Sequence, residues 1–278
     1  MGKVRIGVAL SGGTARSMAH IGILKAFEEH GIEIDYLSGT SGGSLVAAFY
    51  ASGKSIEEME NLAESLSWRK LAGLTLPKLG LLSSNKIREF VIDQIGEICF
   101  RDLKIPTVVV AADLTTGEKK IFKEGEVAIA CQASSSIPEV YTPVEIEGHS
   151  FVDGGIVEYM PVKALSEFGE MFRIGVNLGY ESGKRKRPRH LVEVIMEVTG
   201  FIANLNALES EKVADFVIRP DVERFSPFAL NKAADLIEVG YVTAVAEMAA
   251  LKEAIGRYAS FTGKLRRFLT GVPGRSAG

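Results

Sequence analysis

The sequence predicts a three-layer α/β domain in which helices cover both faces of a mostly parallel central sheet. Apolar runs at residues 4–10 and 32–39 are typical of buried strands, and a helical spacing of apolar residues separates them. Such a strand–helix–strand unit implies a crossover between parallel strands. The 278 residues are 46% hydrophobic, which suffices for one large core. We therefore expect one domain over residues 1–258 and a basic tail over residues 259–278.

The elements follow in order from periodicity, turn residues and caps. The first helix has Ile21, Leu24 and Phe27 on one face and ends at Gly31. Ser84-Asn85 is expected to cap a helix with apolar residues at 87, 90, 91 and 95. Further helices are predicted at about 44–52, 55–70, 126–135, 190–211 and 231–257, and further strands at 105–114, 118–122, 143–147, 150–152, 171–179 and 215–220.

Composition and charge argue against several classes of function. The net charge is −3, so no global basic field attracts nucleic acid. Cys99 and Cys131 lie in apolar surroundings and are expected as buried, reduced thiols, with no disulfide framework, metal site or other cofactor. No stretch reaches the ~18 consecutive apolar residues of a membrane span. We expect a cytoplasmic protein that can associate peripherally with a membrane.

A glycine-rich turn around Ser41 is the first candidate for chemistry. Gly39-Thr40-Ser41-Gly42-Gly43 matches the pattern Gly-x-Ser-x-Gly, with a predicted strand before it and a predicted helix after it. In such a turn the serine is held at strained backbone angles, and the N–H groups at the start of the next helix point toward it. The pattern predicts a nucleophilic serine, and a purely structural turn is the alternative.

A nucleophilic serine needs a base, and the sequence offers two kinds. The histidines are His20, His30, His149 and His190, and none lies in a recognisable signature. Asp153 lies at a predicted strand end, and the glycines Gly154 and Gly155 after it favour presentation on a tight turn. Asp-Gly-Gly is also common as a plain turn. Asp153 is the better candidate, and His149 and His190 stay open because both follow Ser41 in the chain.

A second glycine-rich turn, at Gly12-Gly13, ends the first strand. Its N–H groups can converge on an anion, which fits either a nucleotide-phosphate loop or an oxyanion hole for acyl transfer. The dinucleotide pattern Gly-x-Gly-x-x-Gly is not met, although Asp35 lies at about the distance expected of a ribose-binding acid. The residues alone leave both interpretations open.

Three blocks together resemble the patatin-like phospholipase family in its bacterial form. In order along the chain they are Gly12-Gly13-Thr14-Ala15-Arg16, Gly39-Thr40-Ser41-Gly42-Gly43-Ser44 and Asp153-Gly154-Gly155. Residues 20–26, 111–118 and 133–152 are also similar to family segments, so that the resemblance spans about residues 3–180. Each block alone is weak, and the joint pattern is specific.

The resemblance implies a serine lipid acyl hydrolase with a Ser–Asp dyad and no histidine. Ser41 would be the nucleophile, Asp153 its proton acceptor, and Gly12, Gly13 and Thr14 the backbone donors of an oxyanion hole. Arg16, Gly39, Gly42, Gly43, Gly154 and Gly155 would support these residues. The substrate would be an acyl ester or phospholipid, and no cofactor is implied. Ser17 departs from the family, which often has glycine after the arginine, and its Cβ either narrows the approach to the oxyanion site or points outward.

Several features leave alternatives open. The irregular leucine-rich segment 71–84 fits a mobile flap that lines an acyl channel and equally a loop that seals the core. The basic stretches 183–190 and 263–271 fit solvated loops or docking on anionic lipid. The helix at 231–257 fits core packing or the face of a homodimer. A catalytically silent lipid-binding protein and a nucleotide-binding protein remain as alternative functions.

Overall fold

Eight strands form the central sheet of the computed structural model, which describes residues 3–71, 73–74, 80–179, 188 and 191–260. Their order across the sheet is β10-β9-β1-β2-β5-β8-β7, with β6 paired to β5. The strands are β1 (Ile6–Leu10), β2 (Tyr36–Thr40), β5 (Thr107–Asp113), β6 (Glu118–Phe122), β7 (Val144–Ile146), β8 (His149–Asp153), β9 (Phe172–Val176) and β10 (Phe216–Ile218). Two further strands, β3 (Gly73–Leu74) and β4 (Leu82–Ser83), form a separate antiparallel pair.

Helices cover both faces of this sheet. They are α1 (Ala19–Glu29), α2 (Gly42–Ser52), α3 (Ile56–Glu64), α4 (Trp68–Leu71), α5 (Asn85–Ile95), α6 (Val127–Ser134), α7 (Gly155–Glu158), α8 (Leu191–Glu211) and α9 (Ala233–Ala259). The helix predicted over 55–70 is interrupted, because α3 ends at Glu64 and a new turn begins at Trp68. The short helix α7, directly after Gly154, was not predicted. From residue 261 onward, the predicted tail lies outside the described residues.

The sheet changes from parallel to antiparallel at β5. Strands β10, β9, β1, β2 and β5 are joined by parallel pairs, whereas β6 and β8 pair antiparallel with β5. The prediction of a mostly parallel sheet between helices is confirmed. The sequence did not predict that the strands at one side of the sheet run antiparallel.

Alternate residues of the buried strands face two separate cores. In β1, Val8 and Leu10 pack into the large core on the α1, α2 and α9 side. Ala9 instead packs with Met160 and Leu165, on the opposite face of the sheet. Period-two burial on both faces explains why β1 has a continuous apolar sequence.

Two glycines allow α1 and α9 to approach each other closely. A Cβ added at Gly22 would lie 1.9 Å from the Ile237 carbonyl oxygen, and one at Gly240 would lie 1.9 Å from the Ala19 carbonyl oxygen. Backbone thus meets backbone at this crossing, and neither position has room for a side chain. The opposing glycines fix α9 against the helix that follows the Gly12-Gly13 turn.

Gly240→Ala should lower the free energy of unfolding by about 2 kcal/mol, because overpacking forces the two helices apart. Gly256→Ala in the same helix is the matched control, since a Cβ there meets nothing within 4 Å. It should raise the free energy of unfolding by about 0.5–1 kcal/mol through helix propensity. Urea unfolding followed by circular dichroism measures both, and equal effects of the two substitutions would contradict the packing described.

Candidate active site

One edge of β5 brings together residues from distant parts of the chain. β2 runs parallel to β5 and ends with Thr40 opposite Val110. β8 runs antiparallel along the same edge and ends with Asp153 opposite Ala111. Both strands lie on the edge away from β6, because β6 pairs with residues 109–113 on the other side. The two strand ends therefore meet head to head, and the residue after β2 is Ser41.

Ser41 lies on a strained turn between β2 and α2. Its φ is 53° and its ψ is −130°, a conformation that residues with a side chain rarely adopt. The backbone at Gly43 passes so close to β1 that an added Cβ would lie 2.3 Å from the Leu10 carbonyl oxygen. Ser44 Oγ donates a 2.6 Å hydrogen bond to the Ser41 carbonyl and closes the turn. The tight turn presents the Ser41 side chain above the end of the sheet.

The structure places Ser41 and Asp153 in direct contact. Ser41 Oγ donates a 2.6 Å hydrogen bond to Asp153 Oδ2. The other oxygen, Oδ1, accepts a 2.7 Å hydrogen bond from the Gly155 N–H. Both side chains are buried, and burial raises the pKa of Asp153 to about 6 from an ordinary 3.8. A carboxyl with this pKa accepts a proton more readily than a solvated one does.

Ser134 fixes the Ser41 backbone, and the sequence did not single it out. The Ser41 N–H donates a 2.8 Å hydrogen bond to Ser134 Oγ. Ser134 Oγ in turn donates a 2.6 Å hydrogen bond to the Val110 carbonyl of β5. The residue lies in the family-like segment 133–152, which was the only sequence signal for it.

The turn after β1 lies beside Ser41, but Gly12 is not available as an oxyanion donor. Its N–H donates a 3.0 Å hydrogen bond to the Tyr159 carbonyl, so the expectation for Gly12 is wrong. Within the described part of the chain, the N–H groups of Gly13, Thr14 and Gly42 have no protein acceptor. Thr14 has a positive φ of 53°, which turns the chain at this point. These three amides can donate hydrogen bonds to an anion beside Ser41.

Arg16 holds this turn to the C-terminal part of the domain. Its guanidinium Nε donates a 2.8 Å hydrogen bond to the Phe225 carbonyl, and one Nη donates to the Glu223 carbonyl at 3.1 Å. Because Arg16 is almost fully buried, these bonds compensate for the loss of water around the cation. The predicted supporting position of Arg16 thus has a physical basis.

The histidines lie in other contacts. His20 is buried, its Nε2 is 2.8 Å from the Ser11 carbonyl oxygen, and burial lowers its pKa to about 4. His149 Nδ1 is 2.7 Å from Asp113 Oδ2. His30 Nδ1 is 2.9 Å from the Ala26 carbonyl oxygen. His190 lies outside the described residues, and no described histidine forms a hydrogen bond with Ser41.

Asp35 does not support a nucleotide site at the Gly12-Gly13 turn. Its carboxylate accepts a 2.8 Å hydrogen bond from the Ile6 N–H, at the beginning of β1. The glycine turn follows the opposite end of that strand. Asp35 and the Gly12-Gly13 turn therefore lie at opposite ends of β1.

An apolar cavity of about 580 Å³ opens beside Ser41. Ser41, Gly42, Thr14 and Ser17 contribute to its wall, and side chains of α2, α3, α5 and the segment 137–141 supply half of the rest. Those side chains are Leu45, Val46, Phe49, Met59, Leu62, Ala63, Ile87, Phe90, Ile137, Val140 and Tyr141. Such a space suits a flexible hydrocarbon chain whose polar end reaches Ser41.

The leucine-rich segment 71–84 contributes to this cavity. Leu71, Leu81 and Leu82 line it, whereas residues 72 and 75–79 lie outside the described part of the chain. The Leu82 N–H donates a 2.8 Å hydrogen bond to the Val140 carbonyl, and the Thr142 N–H donates to the Leu82 carbonyl at 2.9 Å. The C-terminal end of the segment is thus bonded to the body of the domain, and the flap stays a prediction.

The comparisons with known proteins identify the family. A sequence model of the family described as patatin-like phospholipase matches residues 8–166. The chain belongs to the patatin-like phospholipase family. The match covers all three motif blocks, so the resemblance predicted from them is confirmed.

Relatives and solved structures agree with this membership. An uncharacterized NTE family protein of Mycobacterium bovis is 35% identical over 183 residues, which are 64% of this chain and 51% of that protein. Lysophospholipase NTE1 of Eremothecium gossypii is 27% identical over 267 residues, 84% of this chain and 18% of that protein. VipD from Legionella pneumophila shares the fold with a TM-score of 0.62 at 15% identity, over 90% of this chain and 67% of VipD. The chain spans about half the length of the mycobacterial relative.

Other sequence expectations meet the structure only in part. Cys131 is buried and Cys99 partly exposed, and both are free thiols. Among the described residues, no group of acidic, histidine and cysteine side chains is arranged to hold a metal ion, and no helix is long and apolar enough to cross a membrane. Apart from Pro188, the predicted basic stretch 183–190 lies outside the described residues, as does 263–271.

Burial of Asp153 predicts a pH-dependent effect of Asp153→Asn on stability. Below about pH 4 the carboxyl is protonated in both folded and unfolded chains, whereas above pH 6 the folded state must bury a carboxylate. As the pH rises from about 4 to above 6, the wild-type free energy of unfolding therefore decreases by roughly 3 kcal/mol, at ~1.36 kcal/mol per pKa unit. The neutral amide avoids this loss, so Asp153→Asn should be the more stable protein at pH 8 and similar to wild type at pH 4.

Chemical unfolding of both proteins from pH 4 to pH 8 measures this difference. Asp221→Asn is the control, because Asp221 is exposed and its charge stays in water. A difference between Asp153→Asn and wild type that stayed constant over the pH range would contradict the burial argument.

Proposed function

We propose that this chain hydrolyses acyl esters of lipids, with Ser41 as nucleophile and Asp153 as its base. The observation that carries the proposal is the 2.6 Å hydrogen bond between these two buried side chains at an apolar cavity. A nucleophile within hydrogen-bond reach of a base is the arrangement that covalent catalysis needs. Among the described residues, none forms an ion pair with the buried Asp153 carboxyl, which favours a role in proton transfer.

In the first step Ser41 Oγ adds to the ester carbonyl carbon while its proton passes to Asp153 Oδ2. The carbonyl oxygen becomes an oxyanion, and the Gly13, Thr14 and Gly42 N–H groups would stabilise it by hydrogen bonds. Gly42 directly follows the nucleophile, a position that supplies an oxyanion donor in turns of this kind. The start of α2 adds its helix dipole to the same region.

In the second step the bond to the leaving oxygen breaks, and Asp153 returns its proton to the departing alcohol. Water then adds to the acyl group on Ser41 and gives a proton to Asp153, which passes it to Ser41 Oγ as the acid is released. With a pKa of about 6, Asp153 is mostly ionised at neutral pH and can begin each cycle as a base. Gly155 N–H, bonded to Oδ1, keeps the other oxygen aimed at Ser41.

The lipid nature of the substrate is supported by the cavity and by the relatives. The wall beside Ser41 consists mainly of aliphatic and aromatic side chains. A relative over 84% of this chain is named a lysophospholipase. Leu81 and Phe228 line the cavity while 51% and 42% exposed, so we expect its mouth to meet a lipid surface.

Ser41→Ala should abolish hydrolysis of a p-nitrophenyl ester and labelling by a fluorophosphonate, because no nucleophile remains. The wild-type adduct should map to Ser41 by mass spectrometry. Ser52→Ala is the control, since this serine of α2 bonds only the Phe49 carbonyl and should leave turnover unchanged. Wild-type protein that bound fatty acid but was not labelled would instead favour a silent lipid-binding protein.

Leu62→Asn should lower kcat/KM for long-chain p-nitrophenyl esters more than for the acetate. Leu62 lines the cavity from α3, and each methylene that contacts it contributes up to ~0.8 kcal/mol of apolar burial. Leu114→Asn is the control, because Leu114 is 55% exposed outside the cavity. A chain-length series of esters measures the effect, and an equal decrease for all lengths would argue against acyl binding in this cavity.

A further inference from the structure

Ser17 is a buried serine whose hydroxyl forms no hydrogen bond with the described part of the protein. Its side chain is 3% exposed, and Oγ has no partner. Two serines of α2, Ser44 and Ser52, donate to the carbonyl three residues before them. Ser17 does not form this common local bond, although it lies in the short 3₁₀ helix Thr14–Met18. A buried hydroxyl without a partner is unfavourable and calls for an explanation.

The Ser17 hydroxyl packs between the two turns that carry the free amides. A Cβ added at Gly42 would lie 2.3 Å from Ser17 Oγ, and one at Gly13 would lie 3.2 Å from it. Ser17 also lines the cavity together with Ser41. Its side chain thus points inward, which answers the question raised by this departure from the family pattern. Ser135 also has a buried, unpaired hydroxyl in the wall, but it is not among the closest neighbours of Gly13 or Gly42.

Ser17 packs against the two turns that carry the Gly13 and Gly42 N–H groups, and its hydroxyl forms no hydrogen bond with any described acceptor. A substrate carbonyl oxygen that entered between Gly13 and Gly42 would offer it an acceptor that becomes negatively charged in the reaction. A hydroxyl rotates freely about its C–O bond, so it can turn its hydrogen toward that oxygen. Hydrogen bonds to a charged acceptor are roughly twice as strong as those between neutral groups.

We propose that the Ser17 hydroxyl is a further, side-chain donor of the oxyanion hole. This inference rests on the proposed hydrolase function. As Ser41 Oγ bonds to the ester carbon and the carbonyl electron pair moves onto oxygen, Ser17 donates a hydrogen bond to that oxygen and keeps its own proton. Ser17 would contact the reacting atoms and act mainly on kcat, since the charge exists only after the attack.

Ser17→Ala tests the hydroxyl, and Ser17→Gly tests the space that its side chain fills. Both substitutions should lower kcat for p-nitrophenyl butyrate by about 10- to 100-fold, with little change in KM. This decrease in kcat is somewhat smaller than the one expected from the loss of a fixed oxyanion donor. An alkyl trifluoromethyl ketone, which forms an oxyanion on the nucleophile, should bind more weakly to both variants by a similar factor. The matching methyl ketone should bind as it does to wild type. Ser52→Ala controls for the general loss of a serine hydroxyl.

The outcomes separate this inference from the function on which it rests. Wild-type turnover that requires Ser41 but is unchanged in Ser17→Ala would overturn the role of Ser17 alone. A Ser17→Gly variant as active as wild type would do the same, because neither the hydroxyl nor the volume of the side chain would then be needed for turnover. Weaker binding of both ketones with kcat preserved would assign Ser17 to substrate binding instead. Turnover that survives Ser41→Ala would refute the hydrolase proposal and the inference together.

Discussion

The candidate site depends on one constraint, which is that a single edge of β5 accepts two strands in succession. β2 occupies the first half of the edge and β8 the second, in opposite directions. β2 ends opposite Val110 and β8 ends opposite Ala111, the next residue of β5. Asp153, the last residue of β8, and Ser41, the first residue after β2, must therefore lie next to each other. Every member of that strand is buried and alternate residues pack into different cores, so a one-residue slip of the register would exchange the two sets of side chains between those cores. The distance between Ser41 and Asp153 is therefore set by the sheet and not by a flexible loop.

The same side of the sheet supplies both the core and the cavity. Helix α2 packs directly on β1, β2 and β5, whereas α3 contacts α1 and α9, and α5 contacts α6. Apolar side chains of all three helices line the space beside Ser41. Because α2 begins directly after Ser41, the orientation of this helix determines both the turn and part of the cavity wall. The candidate catalytic turn and the cavity for an acyl chain consequently share one element, α2.

Local patterns allowed much of the fold to be predicted, and long-range contacts explain what was missed. Apolar runs and glycine turns gave the order of strands and helices, since these signals lie within a few residues of each other. The Tyr159 carbonyl that occupies the Gly12 N–H comes from a distant segment, so no local pattern could reveal it. Ser134 was missed for the same reason, because its role depends on the side-by-side position of β5 and the Ser41 turn. The inward direction of Ser17 likewise became evident only with Gly42 in place.

The unfavourable features of the site are tolerated because the surrounding structure allows no alternative. Ser41 holds a positive φ, which costs on the order of 1–3 kcal/mol, and Asp153 is buried without a cation among its hydrogen-bond partners. Relief of the Ser41 strain would require the turn to move away from Ser134 and Leu10, where the close contact at Gly43 and the bond to β5 hold it. Solvation of Asp153 would require β8 to leave its pairing with Ala111. Because either movement would disrupt a fully buried strand, the fold keeps both groups in the arrangement that nucleophilic catalysis requires.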